Sequence, residues 1–269
     1  MKKLQFTLIT FLSTFSIFSQ ADSSQIAIDS SKYDFQTSMQ ITKNGNVNDT
    51  VFISRKIERN ASIFVEGKSY VYNALIIDST NNIVSKTKIK LEGTNKRWPE
   101  SKKTQMAMNI FYERAFNDSI NLSYLNDNST CCEWQDSVET GIIENVERFW
   151  IHPIRQNQFE LTEIAGFPSV TLPLSFDNKW SYTVSITGWG EWINTTVLNK
   201  YSVLSMKNYM LNNELISCWE IQCLSDFKGK LNEHVFLYNE KYGFVSMKYK
   251  FYNGTKITFE MIETFTIQK

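Results

Sequence analysis

Histidine is almost missing from this chain, which holds two in 269 residues, His152 and His234. The shortage restricts acid–base catalysis and imidazole metal ligation, because histidine is the side chain whose charge changes nearest neutral pH. His152 stands in WIHP between an expected strand and a proline, and His234 in NEHVFLY inside an expected strand. Both are read as structural or surface residues. The motifs of other chemistries are missing too: there is no G-x-S-x-G elbow, H-E-x-x-H helix, glycine-rich phosphate loop or calcium loop. A cysteine nucleophile needs a histidine beside it, and only Cys218 or Cys223 near His234 offers one. Glu144 with Glu147, and Glu160 with Glu163, have the form of carboxylate pairs for glycoside hydrolysis. Acids this close in sequence are more often exposed turns. No catalytic residue, metal site or cofactor is assigned.

A basic excess is also lacking. The chain carries 28 basic and 28 acidic residues, and loss of Lys2 and Lys3 with a leader leaves 26 against 28, a formal charge of −2. Phosphate backbones need a clear positive face, so nucleic acid is excluded as the expected partner. Lys86, Lys88 and Lys90 alternate along a strand-like segment and are read as a solvated strand face.

No apolar run after residue 21 is long enough to span a membrane. The one apolar stretch opens the chain: Met1-Lys2-Lys3 followed by LQFTLITFLSTFSIFSQA, a basic tip and a short hydrophobic core from Phe6 to Phe18. This is the form of a secretory signal peptide over residues 1–21, with cleavage after Ser19 or Ala21 and a secreted or periplasmic destination. No cysteine stands at either cleavage point, which argues against an N-terminal lipid anchor. The remainder, 42% hydrophobic and 21% charged over the whole chain, has ordinary globular composition.

The four cysteines are Cys131, Cys132, Cys218 and Cys223. A vicinal 131–132 bridge is strained. Cys218 and Cys223 in one extended strand lie about 16 Å apart at ~3.3 Å per residue, too far to bridge. A disulfide has to join the two clusters, or the thiols stay free and buried. Neither cluster has the two-residue spacing of zinc ligands.

What is present is period-two patterning. YDFQTSMQIT, TVFISRKI, SYVYNALII and IVSKTKIKL read as strands separated by Asn, Gly, Asp and Ser clusters. KWSYTVSIT alternates Trp180, Tyr182, Val184 and Ile186 with small polar residues and is the clearest strand in the chain. GIIENVERFWIHPIR reads as a hairpin turning at Asn145. Residues 99–116 are the one helix expected, with Pro99 in its first turn and Met106, Ile110 and Arg114 at four-residue steps. The chain divides into residues 22–98, an N-terminal β region, and 99–269, the helix plus a curved antiparallel sheet, or the two form one continuous domain. No internal repeat or low-complexity tract interrupts it.

The C-terminal hairpin supports a sharper expectation. Asn253-Gly254 marks a tight turn. A two-residue loop would put Val245, Met247, Tyr249 and Phe251 on the face opposite Ile257, Phe259 and Met261. A three-residue loop with Gly254 left-handed sets Tyr249 against Ile257 and Met247 against Phe259. Because a one-residue slip inverts every side chain, the patterning predicts the bulged loop.

The segment from Gly188 to Trp192 concentrates two tryptophans and two glycines and is read as a bulged strand end with its tryptophans in the core, or as an aromatic platform for a sugar or apolar ligand. Seven N-x-[ST] sequons, at Asn48, Asn60, Asn117, Asn121, Asn128, Asn194 and Asn253, are read as chance products of an asparagine-rich chain.

Two stretches, NVERFWIHPIR with FPSVTLPL and ISCWEIQCL with FLYNEKYGFVSMKYKFYNGTKITFEMI, carry a resemblance. Over residues 141–261 the chain resembles uncharacterised secreted proteins of Gram-negative bacteria, whose C-terminal halves are similar to the curved antiparallel half-barrel of periplasmic lipoprotein carriers. The resemblance implies a concave apolar face and no catalytic residues.

The expected fold is therefore mainly β: a strongly curved antiparallel sheet, as a half-barrel or open sandwich, with one or two helices. The expected function is non-catalytic binding of an apolar or lipid-linked ligand or an envelope component. Its ligand-binding residues are expected among Trp180, Tyr182, Trp189, Trp192, Phe236, Met247 and Phe259. A secreted hydrolase and an adhesive β module are the competing readings, and the oligomeric state stays open.

Overall fold

The structure, a computed structural model, describes residues 33–41, 50–59, 61–99, 105–114, 134–186, 192 and 194–266. The signal-peptide reading, Cys131, Cys132 and Trp189 lie outside the described residues. Among the described residues fourteen strands follow in order: β1 Tyr33–Ile41, β2 Thr50–Glu58, β3 Lys68–Ile77, β4 Ile83–Arg97, β5 Met106–Tyr112, β6 Ser137–Glu144 and β7 Arg148–Ile151. After a 3-10 helix, Asn157–Ile164, come β8 Ser169–Thr171, β9 Lys179–Ile186, β10 Thr195–Leu211, β11 Glu214–Phe227, β12 Lys230–Asn239, β13 Gly243–Lys250 and β14 Lys256–Thr266.

β1 and β2 form their own hairpin, and the other twelve strands make one antiparallel sheet in the order β8-β7-β6-β5-β4-β3-β14-β13-β12-β11-β10-β9. Two meanders, β3 to β8 and β9 to β14, are thus joined by the ladder between β14 and β3. The sheet curls until it is nearly closed into a barrel. The curved antiparallel sheet expected from period-two burial is what forms. β3 and β12 show why: Tyr72, Ala74 and Ile76, and then Asn232, His234, Phe236 and Tyr238, are buried alternately with half-exposed or exposed neighbours.

The lumen is filled rather than hollow at its centre. Phe149 packs 5.3 Å from Tyr238 and 5.2 Å from Phe244, and Phe236 lies 4.9 Å from Phe244 between ring centres. The connection between β7 and β8 adds to this filling, with Phe159 of the 3-10 helix 5.2 Å from Phe259 on β14 and 6.3 Å from Tyr112 on β5. Its backbone is met by β12: Asn232 Nδ2 donates to the Ile164 carbonyl at 2.8 Å, and His234 Nδ1 donates to that of Gly166 at 2.6 Å. Buried carbonyls need such partners, so two polar residues inside β12 are tied to this plug.

The helix expected over residues 99–116 is a correction. Met106–Tyr112 is strand β5, hydrogen-bonded to β4 on one side and β6 on the other. Met106, Met108, Ile110 and Tyr112 fit a period of two as well as Met106 and Ile110 fit four, and both neighbours supply ladder partners, which decides the matter. Among the described residues the helix lies instead at Asn157–Ile164, where no amphipathic spacing marks it. The hairpin between β6 and β7 turns at Asn145, whose Oδ1 accepts from the Glu147 and Arg148 N–H groups at 3.0 and 2.9 Å.

The C-terminal hairpin has the bulged loop. Tyr249 pairs with Ile257 and Met247 with Phe259, the Phe251 N–H donates to the Thr255 carbonyl at 2.9 Å, and Gly254 sits at φ +85. A left-handed residue at this point is what glycine permits.

Candidate functional site

The two ends of the sheet define its seam. β8 and β9 are the terminal strands, each with one ladder partner, β7 and β10 respectively. A cleft of about 710 Å³ lies along this seam, within the ~300–1,000 Å³ common for small-molecule sites. Ile57 of β2, Ile143 of β6, Leu172 after β8, and Trp180 and Tyr182 of β9 give it apolar walls. Asp34, Arg55, Asn145, Glu147, Arg148 and Ser169 supply polar groups.

The β9 wall is held rigidly. Trp180 and Tyr182 occupy one face of β9 by strand alternation, and both stack on Tyr201 of β10, at 5.3 Å with planes 7° apart and at 5.2 Å with planes 19° apart. The Tyr201 hydroxyl donates to the Phe167 carbonyl at 2.8 Å and lies 2.7 Å from that of Tyr182. Burial holds both phenols well above their ordinary pKa, so they stay neutral.

The charges along the cleft are mostly matched. Asp34 is buried and meets Arg97 Nη1 at 2.7 Å, Arg59 Nε at 3.8 Å and Asn145 Nδ2 at 2.9 Å. Glu147 pairs with Arg55. Arg148 differs: its Nε donates to Ser169 Oγ at 3.3 Å, and its guanidinium lies 5.9 Å from the Trp150 ring and 5.3 Å from the Tyr182 ring. Among the described residues it has no carboxylate partner. Burial lowers its pKa, and the two nearby tyrosines, Tyr182 and Tyr201, oppose that shift.

Of the residues expected to bind ligand, Trp180 and Tyr182 line the cleft. Phe236, Met247 and Phe259 are at most 1% exposed in the central core and do not line the cleft. Trp192 belongs to a separate cluster with Ile164, Ile186, Val197 and Phe227, the core reading of that segment. Arg148, which also lines the cleft, is not among the residues expected from the sequence. The turn at Asn145 ends before Arg148, which opens β7.

The catalytic alternatives fare differently. His152 is packed among Trp98, Trp150 and Phe167, and its pKa falls to about 3 through burial and the Arg155 charge. His234, fully buried and stacked 3.9 Å from Tyr249, also falls to about 3 through burial. Its Nδ1 is committed to Gly166 and its Nε2 has no partner. Both imidazoles are neutral at physiological pH. Glu144 binds the 62–64 backbone, accepting from the Ser62, Ile63 and Phe64 N–H groups at 2.6, 2.7 and 3.0 Å. Glu163 pairs with Arg155 at 2.9 Å, its pKa raised by burial against the pull of that arginine. Cys218 and Cys223 carry free buried thiols, pushed up to about 11 by burial. Lys86 and Lys88 are exposed on β4, and Lys90 pairs with Glu92 at 2.7 Å, as expected of a solvated face. No helix among the described residues is long and apolar enough to cross a membrane, and no cluster of three metal-ligating side chains occurs among them.

No family model matches the chain, and no curated protein matches it. Three crystal structures are similar. A "putative lipoprotein" from Parabacteroides distasonis ATCC 8503 shares 10% identity at a TM-score of 0.42, covering 77% of this chain and 100% of that one. A "putative exported protein with YmcC-like fold" from Bacteroides fragilis NCTC 9343 shares 7% at 0.38, over 77% and 100%. The hypothetical lipoprotein YmcC from Escherichia coli shares 9% at 0.32, over 78% and 92%. At such identities no site residue transfers from one chain to another.

Proposed function

We propose that this is a secreted or periplasmic, non-catalytic binding protein whose apolar or lipid-linked ligand lies in the seam cleft. The supporting observation is the cleft itself: apolar walls from β2, β6 and β9 where the terminal strands β8 and β9 leave the described sheet open. Ligand pockets are mostly apolar, preformed and edged by a few polar groups, and the stacked Trp180, Tyr201 and Tyr182 preform this one. The expected ligand-binding role thus narrows to Trp180 and Tyr182, with the lumen residues behind them as packing. A hydrolase needs converging groups with tuned pKa values. The histidines and carboxylates considered above are instead sequestered or engaged, which favours binding over catalysis.

Titration with the neutral apolar dye N-phenyl-1-naphthylamine tests the reading. Saturable binding at one site is expected. Thr171→Trp, at an exposed position on the rim of the cleft, should abolish it while leaving the thermal melt unchanged. Absence of saturable binding, or equal binding by the variant, would refute the proposal.

A further inference from the structure

The cleft holds a cation with more hydrogen-bonding capacity than the fold uses. Arg148 engages Ser169 through Nε alone, and neither Nη1 nor Nη2 has a hydrogen-bond partner among the described residues. The other charged groups along the cleft are accounted for: Asp34 by Arg97, Arg59 and Asn145, and Glu147 by Arg55. Arg148 is half-buried, and partly removing a guanidinium from water without a counter-charge carries a cost that a paired charge offsets. Here two ring faces, Trp150 and Tyr182, flank it and restrict its orientation, which is an arrangement for presenting the fork rather than neutralising it.

We infer that Arg148 is an anion-recognition residue, and that the ligand of the seam cleft is an amphipathic anion whose carboxylate or phosphate sits on its guanidinium while its apolar portion lies against Ile57, Ile143, Leu172 and Trp180. A planar fork of N–H donors matches both head groups bidentately, and a partly dry setting strengthens the contact. The inference rests on the cleft being the ligand site and specifies the class of ligand it takes. Burial of Arg148, which lowers its proton affinity while leaving it charged, is consistent with a site awaiting an anion. Asp34 and Glu147 also line the cleft and would repel an anion if unpaired, so their arginine partners are part of the site.

The test compares dodecyl phosphate, dodecanoate and 1-dodecanol, followed by tryptophan fluorescence, with inorganic phosphate and acetate as head groups alone. The two amphipathic anions should bind about ten- to a hundredfold more tightly than the alcohol, as expected for charge-assisted hydrogen bonds. Arg148→Gln should remove that preference, so that the anions and the alcohol bind alike. Arg148→Lys, which keeps the charge and loses the fork, should retain part of it. If Arg148→Gln fails to fold, the wild-type ligand series and the lysine variant still decide. Equal binding of alcohol and anions by the wild type would overturn the inference and leave the cleft as an apolar site. Inorganic phosphate binding as tightly as dodecyl phosphate would overturn the amphipathic assignment. Binding of none of the five would overturn the ligand cleft as well.

Discussion

Acidification from pH 7 to pH 5 should remove about 4 kcal/mol of folding stability through His152 and His234. Each imidazole is lowered to about 3 from 6.5, by burial first and, at His152, by the charge of Arg155, with a carbonyl contact opposing in each case. The unfolded chain accepts a proton on each near 6.5, while the folded chain refuses it until about 3. Their contribution is therefore intact above pH 6.5 and is lost progressively as the pH falls from there towards 3. At pH 5 the loss is set by the unfolded affinity, about 1.5 pH units at 1.36 kcal/mol each, or ~2 kcal/mol per histidine. Any folded value below ~4 gives the same figure. Against a total of roughly 5–15 kcal/mol for a domain, the effect is large. Glu163 acts in the opposite direction, since burial raises its folded pKa and favours the fold as the pH falls. Urea denaturation at pH 7, 6 and 5 measures the sum, and His234→Gln separates the contributions. The amide can still donate to the Gly166 carbonyl and does not titrate, so this variant should lose about 2 kcal/mol less than the wild type between pH 7 and pH 5. A wild type and variant with identical pH dependence, or an NMR titration showing either imidazole protonating above pH 5, would refute the reasoning.

Two further perturbations address the packing around the barrel. Glu144→Gln leaves one acceptor oxygen where a carboxylate serves the Ser62, Ile63 and Phe64 N–H groups. It should cost about 2–4 kcal/mol in chemical denaturation with the m-value unchanged, whereas a loss under ~0.5 kcal/mol would mean that water replaces the carboxylate. Cys218 and Cys223, held protonated by burial, should resist thiol reagents at pH 8 in a Cys131→Ser/Cys132→Ser background and react at once in denaturant. Rapid labelling of the native protein would show that the β11 core opens.

Much of the strand content was legible because its causes are local. Alternation marked β3, β4 and β9, and the glycine of Asn253-Gly254 together with hydrophobic matching fixed the register of β13 against β14. Asn145 marked its turn by the hydrogen bonds that a short amide side chain makes to the next residues. The 105–112 segment was misread because its apolar residues satisfy two periods at once, and only the presence of β4 and β6 on either side selects between them. Cys218 and Cys223 show a similar limit. They are an odd number of residues apart yet both buried, because the buried parity of β11 changes between Cys218 and Ile221, beside the irregularity at Val203/Ser205 in its pairing with β10.

The sequence by itself determined that the protein is an antiparallel β structure with little apparatus for acid–base chemistry, since side-chain period, turn residues and histidine count are properties of short windows. Only the tertiary structure decided which strands became the open ends of the sheet, that the lumen is filled by the β7–β8 connection, and that Arg148 faces rings from Trp150 and Tyr182 instead of a carboxylate. Those outcomes depend on groups dozens of residues apart being brought within a few ångströms, and no local pattern encodes which of them meet.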